Sequence, residues 1–504
     1  MDADYIVVGT GSAGSVVANR LSADPAVSVV VLEAGPRDKD KFIHIPAGFA
    51  KLFRSSMDWD YLTEPQKELD GREIYWPRGK VLGGSSSMNA MMWVRGFPAD
   101  YDEWAEHAGE QWNYGNIEKY FQRIESGPLV ISPQRSPRSA TAAWLEAARE
   151  CGHRGFVETR VTQRRGARWS TADAYLKPAL RRRNLTLHTE ATVTRVLFDG
   201  KRSAGVEFEQ PGARRVVKAR REVILCGGAI NSPQLLMLSG IGPGDELTEH
   251  GIGVVADAPG VGTNLLDHLV VPLGFDVPND TLFTAEKPLE LVNYFARRRG
   301  MLTSNVGEAY GFAKSRADLQ HPDLELIFAP APYFEEGLGD PYDRHAVVMG
   351  PILLKPHSSG TITLRSVDPK DKPIIDPRYL TDAAGADRAA LMSGLRMCAD
   401  IAKAAALKGI IGKIARPLGA TELDDETLEK ALNSLSHTLY HPVGTCRMGS
   451  DDASVVDPEL RVRGVDGLRV ADASVMPTII RGHTHAPSVL IGEKAADLIR
   501  SSVG

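Results

Sequence analysis

Four histidines form two pairs near the C-terminus, His437 with His441 and His483 with His485. Neutral imidazole has a pKa of about 6.5 and accepts a proton near neutral pH. Histidine pairs also bind metals, but His441 precedes a proline and no Asp, Glu or Cys stands at a metal-like spacing. We therefore expect proton transfer and no metal, with no more than one of two adjacent imidazoles cationic in a desolvated site.

A glycine-rich turn near the N-terminus could hold a phosphate. Residues 5–8 form a short apolar run typical of a buried strand, and Gly9, Gly11 and Gly14 follow in G-x-G-x-x-G spacing. A helical stretch and a second apolar run, residues 27–32, then lead to Glu33, 19 residues after Gly14. The pattern predicts a dinucleotide site, with the pyrophosphate at a helix N-terminus and Glu33 at a ribose diol. It does not separate FAD from NAD.

The elements between these residues predict a mixed chain. Residues 58–112 favour loops, and residues 185–223 favour an antiparallel meander around a turn at Asp199 and Gly200. Further strands are expected at 222–226, 325–328 and 360–364, and helices at 386–406 and 492–501.

Composition excludes several classes of protein. The net charge of −5 gives no basic footprint for nucleic acid, and we interpret Arg297, Arg298 and Arg299 as solvated surface. The four cysteines lack CxxC spacing, and no apolar run reaches about 18 residues, so we expect reduced thiols, no membrane span and a cytoplasmic location.

Six further segments carry a resemblance. They are residues 78–89 (RGKVLGGSSSMN), 228–242 (GAINSPQLLMLSGIG), 264–268 (NLLDH), 441–449 (HPVGTCRMG), 470–477 (VADASVMP) and 492–494 (GEK). In type and order the chain resembles the glucose–methanol–choline (GMC) oxidoreductases, from Tyr5 to about Leu498, within a choline-dehydrogenase-like branch.

The resemblance implies a mixed α/β fold with a Rossmann-like FAD-binding lobe and a second lobe built on an antiparallel sheet. It implies an FAD-binding domain at 1–60, 185–265 and 430–504, and a cap or substrate-binding domain at 61–184 and 266–429. The residues expected to bind FAD are Gly9, Gly11, Ser12, Ala13, Gly14, Glu33, Ala34, Arg78, Gly79, Val81, Gly83, Gly84, Ser85, Asn89, Ala90, Met91, Val193, Gly228, Asp472, Ala473, His483, Thr484 and His485. Some relatives bind FAD covalently through a histidine where this chain has Met88, so we expect non-covalent FAD.

The resemblance also implies roles for the histidines. His441 is the expected base for the substrate hydroxyl, and His483 is expected to hydrogen-bond the substrate oxygen. His485 is a candidate contact to substrate or flavin, whereas His437 is expected to be structural and His268 to lie at the lobe interface or around the flavin without a catalytic role. Phe334 and Tyr310 are candidate substrate contacts, with Trp93 and Tyr333 as further aromatic candidates.

The expected function is FAD-dependent oxidation of a small-molecule alcohol to an aldehyde or ketone, with hydride transfer to the flavin. Two alternatives remain open: a hydroxynitrile lyase-like activity without redox turnover, and a non-catalytic flavin-binding protein. The sequence leaves the electron acceptor open between oxygen and a quinone or dye, and it leaves the substrate and the oligomeric state open.

Overall fold

The structure is a computed structural model that describes residues 2–335, 338 and 342–502. Its strands are β1 (Asp2–Val8), β2 (Val29–Leu32), β3 (Tyr61–Leu62), β4 (Tyr75–Trp76), β5 (Val157–Glu158), β6 (Gln163–Arg164), β7 (Ala167–Arg168), β8 (Leu185–His188), β9 (Thr192–Asp199), β10 (Arg202–Gln210), β11 (Ala213–Leu225), β12 (Ile241–Gly242), β13 (Ala256–Asp257), β14 (Leu269–Val270), β15 (Leu273–Asp276), β16 (Ala309–Ala313), β17 (Leu324–Ala329), β18 (Ala346–Leu353), β19 (Thr361–Thr363), β20 (Ile374–Asp376), β21 (Ile414–Arg416), β22 (His437–Thr438) and β23 (Leu468–Val470). Its α-helices are α1 (Gly14–Leu21), α2 (Lys41–His44), α3 (Pro98–Ala108), α4 (Tyr114–Glu125), α5 (Ser139–Glu150), α6 (Lys177–Ala179), α7 (Gly228–Leu238), α8 (Gly244–Glu249), α9 (Pro288–Arg297), α10 (Ala386–Lys403), α11 (Asp425–Leu435) and α12 (His485–Ser501).

The first sheet has β1 near its centre, paired in parallel with β2 on one side and β11 on the other. Ile6 and Val7 are completely buried, as expected for a parallel strand covered on both faces. On the outer edge of β11, β23 adds a further parallel strand from the C-terminal part of the chain. The predicted strand, glycine turn, helix and strand at the N-terminus are confirmed.

The meander expected over residues 185–223 is only partly present. β9, β10 and β11 are antiparallel neighbours, and the turn at Asp199 and Gly200 joins the first two. β8 is different, since it pairs in parallel with β2 at the opposite edge of the sheet. The prediction was wrong there, because local alternation of apolar and polar residues does not determine which distant strand is the partner.

The second sheet has eight strands, in the order β21–β15–β18–β17–β16–β5, with β14 and β22 attached beside β18. Its described strand pairs are all antiparallel. All eight residues of β18 are buried, because α10 packs against that strand. The predicted mixed α/β fold, with a Rossmann-like lobe and a second lobe on an antiparallel sheet, is confirmed.

Loops predominate over residues 58–112, as expected, although α3 begins at Pro98, where proline suits the first turn of a helix. One helix boundary needs correction. The last helix begins at His485 instead of Gly492, because Pro487 again lies in the first turn and does not end the helix. The predicted helix at 386–406 is confirmed as α10.

α12 packs against α1 beside the glycine turn. A Cβ atom on Gly492 would lie 2.7 Å from the carbonyl oxygen of Ala13, and one on Gly14 would lie 2.1 Å from that of Gly9. Glycine is therefore needed at both positions for this close approach. Within the part of the chain that the structure describes, no helix has the length and apolarity to cross a bilayer.

Candidate active site

One large cavity extends from the glycine turn after β1 to the second sheet. Gly9 and Gly11 line one end, and Ile327 of β17 and Val348 of β18 line the other. Tyr440, His441 and Pro442 line the same cavity. The two lobes therefore share one cavity, which is where cofactor sites commonly occur.

The glycine turn packs against the second glycine segment. The amide of Gly83 donates a hydrogen bond to Thr10 Oγ1 at 3.1 Å, and a Cβ on Gly84 would lie 2.8 Å from the Cα of Gly11. A Cβ on Gly11 itself would meet no protein atom within 4 Å. The backbone at Gly11 thus faces open space of the kind that a pyrophosphate needs, beside the N-terminus of α1.

Two buried carboxylates stabilise this end of the cavity. Glu33 accepts hydrogen bonds from the amide and hydroxyl of Thr10 and from the amide of Gly35. Asp472 accepts from the amide of Gly228 at 2.9 Å and from the hydroxyl of Ser232 at 2.6 Å. Burial raises the pKa of both carboxyl groups. Both carboxylates line the cavity, and both hold glycine turns in place.

Most of the residues expected at a cofactor or substrate line this cavity. They are Gly9, Gly11, Ser12, Ala13, Glu33, Ala34, Arg78, Gly79, Gly84, Ser85, Asn89, Ala90, Met91, Val193, Gly228, His441, Asp472, Ala473, His483, Thr484 and His485.

Five expected residues lie off the wall, namely Gly14, Val81, Gly83, Tyr310 and Phe334. Gly14 and Gly83 support the turns from behind, and Val81 is fully buried in an apolar cluster. Tyr310 lies behind His483, with the ring centroids 6.3 Å apart. The ring of Phe334 packs beneath the guanidinium of Arg416 instead of facing the cavity.

The aromatic residues on the wall are partly different from those expected. Tyr333 lines the cavity, together with Phe49, Phe53 and Tyr440, which the sequence had not indicated. Trp93 is not on the wall and packs edge-on against His485. No local pattern distinguishes an aromatic residue on a cavity wall from one in the core.

Three histidines form a cluster at the cavity, in which His441 and His483 line the wall and His268 is buried against His441. The rings of His441 and His483 lie 4.9 Å apart between centroids, and Nδ1 of His441 lies 2.9 Å from Nδ1 of His268. The amide of His441 donates to Asp267 Oδ1 at 2.8 Å. Burial raises the pKa of Asp267 to about 6. Backbone and ring of His441 are thus both held by the 267–268 segment.

The hydrogen bonds of His268 fix the tautomer of His441. Nε2 of His268 lies 3.1 Å from the carbonyl oxygen of Leu354, which can only accept, so Nε2 carries a proton. Burial lowers the pKa of His268 to about 3, so its ring is neutral and Nδ1 has a free lone pair. His441 must therefore donate from Nδ1, which leaves its Nε2 as an acceptor. His441 is arranged as a proton acceptor.

Charge and burial keep His441 neutral. Burial lowers the pKa of His441 well below its usual value, and the electrostatic influence of the neighbouring His483 lowers it further. His483 has its own partner, since its Nε2 lies 3.0 Å from Oε1 of Glu325. Glu325 is completely buried in β17 and was not expected at the site. An acidic residue inside an apolar strand was the available signal.

The other two histidines have different surroundings. Nδ1 of His485, at the start of α12, lies 2.9 Å from the hydroxyl of Ser12 in the glycine turn. Burial lowers the pKa of His485 to about 4. His437 lies on the cavity wall, and its Nδ1 lies 2.8 Å from the carbonyl oxygen of Thr438. His485 therefore links the helix to the cofactor end of the cavity.

A dinucleotide-type turn and two histidines line one cavity, an arrangement that suits a cofactor-dependent oxidoreductase. Models of the GMC oxidoreductase family match residues 3–270 and 356–492, so the chain belongs to the GMC oxidoreductases and is an FAD-dependent oxidoreductase. It is 68% identical to an uncharacterized GMC-type oxidoreductase of Mycobacterium bovis over 99% of both chains. It is 41% identical to an alcohol dehydrogenase [acceptor] of Pseudomonas putida over 98% of this chain and 95% of that one. Pyridoxine 4-oxidase from Mesorbium loti has a similar structure, with a TM-score of 0.88, 30% identity and 99% coverage of each chain.

Proposed function

We propose that this protein oxidises an alcohol to an aldehyde or ketone, with His441 as the base and His483 at the substrate oxygen. The observation that carries the proposal is the free Nε2 acceptor of a neutral His441, beside His483 and on the same cavity wall as the glycine turn. The similarity to an alcohol dehydrogenase supports it.

The division of work between the residues follows from their contacts. His441 Nε2 accepts the hydroxyl proton, while Nδ1 continues to donate to His268 as the ring becomes cationic. His483, paired with Glu325, can donate to the substrate oxygen. FAD bound along the glycine turns would supply the hydride acceptor. Arg78 lines the same cavity and would stabilise negative charge there. Burial lowers the pKa of Arg78, but its guanidinium stays cationic at neutral pH.

We propose that FAD is held without a covalent bond. Met88 lines the cavity and is buried. Its thioether cannot form the histidyl linkage of some relatives. Acid precipitation of the purified protein should therefore release all of the flavin into the supernatant.

The cavity wall favours an uncharged alcohol with an apolar chain. Among the residues that the structure describes, Val270, Ile327, Ala329 and Val348 of the second sheet line the wall, and the only carboxylates on the wall are those of Glu33 and Asp472. Both are bonded to glycine turns at the other end. Aromatic rings can attract a quaternary ammonium, but the cationic Arg78 lowers the affinity of this cavity for one. Choline is therefore expected to be a poor substrate despite the choline-dehydrogenase-like branch.

An anaerobic screen tests the proposal. Straight-chain alkanols, benzyl alcohol and choline are added to the oxidised holoenzyme while flavin absorbance is followed, and air or a quinone dye is then admitted. Bleaching by the apolar alcohols and recovery with one acceptor is the expected result. No bleaching by any alcohol, with cleavage of an added cyanohydrin, would support the lyase alternative. If neither occurred, the flavin-binding alternative would remain.

A further inference from the structure

Helix α9 exposes the face that a surface helix normally buries. Leu289, Val292 and Phe295 lie three residues apart, and their exposed fractions are 77%, 62% and 59%. On the opposite face, Tyr294 is fully buried, and its hydroxyl donates to the carbonyl oxygen of His44 at 3.2 Å. The helix is thus firmly attached through one face, with large apolar side chains directed at solvent.

Neighbouring side chains enlarge this apolar surface. Phe283, just before the helix, and Leu291, within it, are also exposed. Five of the twelve large hydrophobic residues that are exposed in the described chain therefore fall between residues 283 and 295. Such clustering in sequence and on one helix marks an interaction surface, whereas isolated exposed apolar residues do not.

The charges around α9 are mostly positive. Lys287 precedes the helix, Arg297 is its last residue, and Arg298 and Arg299 follow it; all four are exposed. The two acids of this stretch are neutralised or turned inward, since Glu286 pairs with Lys51 and Glu290 accepts from the amide of Met301 at 2.8 Å. An apolar face with basic ends is typical of helices that lie in the interface of an anionic bilayer.

This surface is close to the cavity. The buried side of α9 shares an apolar cluster with Ile45 and Leu302, and with Ala47 of the 3₁₀ helix Pro46–Leu52. Phe49 of the same 3₁₀ helix lines the cavity. One short element therefore separates the exposed face of α9 from the candidate active site.

We propose that α9 binds the protein to the surface of a bilayer that contains anionic lipid. Leu289, Val292 and Phe295 enter the level between head groups and acyl chains, and Arg297 and Arg299 contact lipid phosphates. No residue of α9 lies on the cavity wall. The proposal therefore stands independently of the proposed oxidation.

Sedimentation of the holoenzyme with vesicles tests this proposal. Vesicles of phosphatidylcholine alone are compared with vesicles that also contain phosphatidylglycerol. Wild-type protein should pellet with the anionic vesicles and be released by about 0.5 M salt, which screens charge beyond a few ångströms.

The variant L289S/V292S/F295S should bind the vesicles at least about tenfold more weakly, because each substitution removes a large apolar group. R297Q/R299Q should lose the preference for anionic lipid. Arg298 is left unchanged, since it lies over the ring of Tyr294 at 4.9 Å.

A matched variant, V216S/V254S/V367S, removes three exposed valines elsewhere and should bind as the wild type does. Absence of wild-type binding, or equal binding by L289S/V292S/F295S, would overturn the proposal. The proposal would also be overturned if the wild type did not bind vesicles but formed a dimer in sedimentation velocity, and L289S/V292S/F295S were monomeric. The surface would then bind a second copy of the chain. Bleaching by alcohol is measured on every variant in buffer and should not change. If bleaching fails in all of them, the proposed oxidation fails while the vesicle result still stands.

Discussion

Glu325 and His483 form a buried pair, with 3.0 Å between Oε1 of the carboxylate and Nε2 of the imidazole. The side chain of Glu325 is completely buried, and its second oxygen, Oε2, has no hydrogen-bond partner among the described residues. A buried carboxylate is stable only when a nearby charge compensates it. The pairing holds the ring of His483 beside the neutral His441, on the same cavity wall.

Replacing Glu325 by glutamine should slow flavin reduction by an alcohol about tenfold, which corresponds to about 1.4 kcal/mol of lost transition-state stabilisation. The amide can still accept from His483 but does not carry the negative charge that faces its ring in the wild type. Stopped-flow measurement of flavin reduction gives the effect. Glu308→Gln is the control, since Glu308 is equally buried but bonds to Ser304 and Thr141. An identical change in both variants would assign the effect to general destabilisation.

Replacing His441 by alanine should leave FAD bound and slow flavin reduction about 100-fold or more, as expected for loss of a general base. The cofactor should remain because the glycine turns are held by Thr10, Glu33 and Asp472 instead of His441. Flavin content and anaerobic stopped-flow rates are the measurements. Imidazole added to the medium should restore part of the rate. Unchanged reduction by the same alcohol would remove His441 from the mechanism.

The pH dependence of flavin reduction should have its acid limb well below pH 6.5. A base works only in its neutral form, and burial, together with the electrostatic influence of His483, lowers the pKa of His441. As pH falls, the rate should therefore stay level through 6.5 and decline only when it reaches the lowered pKa. In His483→Asn the limb should move to higher pH, because the electrostatic influence of His483 is gone. A wild-type limb at or above 6.5 would contradict this arrangement.

Variants of His268 should distinguish the effect of its hydrogen bond to His441 from the effect of its side-chain volume. His268→Leu removes the acceptor that keeps the proton on Nδ1 of His441. The proton can then move to Nε2, which would no longer accept a proton from the substrate. We expect flavin reduction about tenfold slower, the cost of about one hydrogen bond. His268→Asn places an amide oxygen near the former Nδ1 and should recover most of the rate. The limiting rate should change more than the alcohol concentration at half-saturation. Equal loss in both variants would indicate a packing role.

The features that the sequence predicted well are local ones. The strand before Gly9 and the helix after Gly14 follow from adjacent residues, because their chemistry dictates backbone geometry. The expectation that His441 and His483 act together came from the family resemblance. Glu325 was missed, since its contact to His483 joins residues 158 positions apart. The parallel pairing of β8 was missed for the same reason: a long-range contact has no periodicity in the sequence.

The open space at Gly11 gives a test of the cofactor site that does not depend on turnover. A Cβ at Gly11 meets no protein atom within 4 Å, whereas one at Gly14 would lie 2.1 Å from the carbonyl oxygen of Gly9. Gly11→Val should therefore fold, but its side chain would fill the space expected for the pyrophosphate. Gly14→Val should fail to fold because the strand and the helix could not pack.

We expect the ratio of flavin to protein in Gly11→Val to fall about tenfold or more, as measured by absorbance, while circular dichroism stays that of the native protein. Gly253→Val is the matched control, since a Cβ there also meets nothing within 4 Å, but Gly253 is exposed and does not line the cavity. It should keep its flavin. A full flavin content in Gly11→Val would show that the space beside Gly11 is not where the cofactor lies, and FAD would then have to be assigned to another part of the cavity.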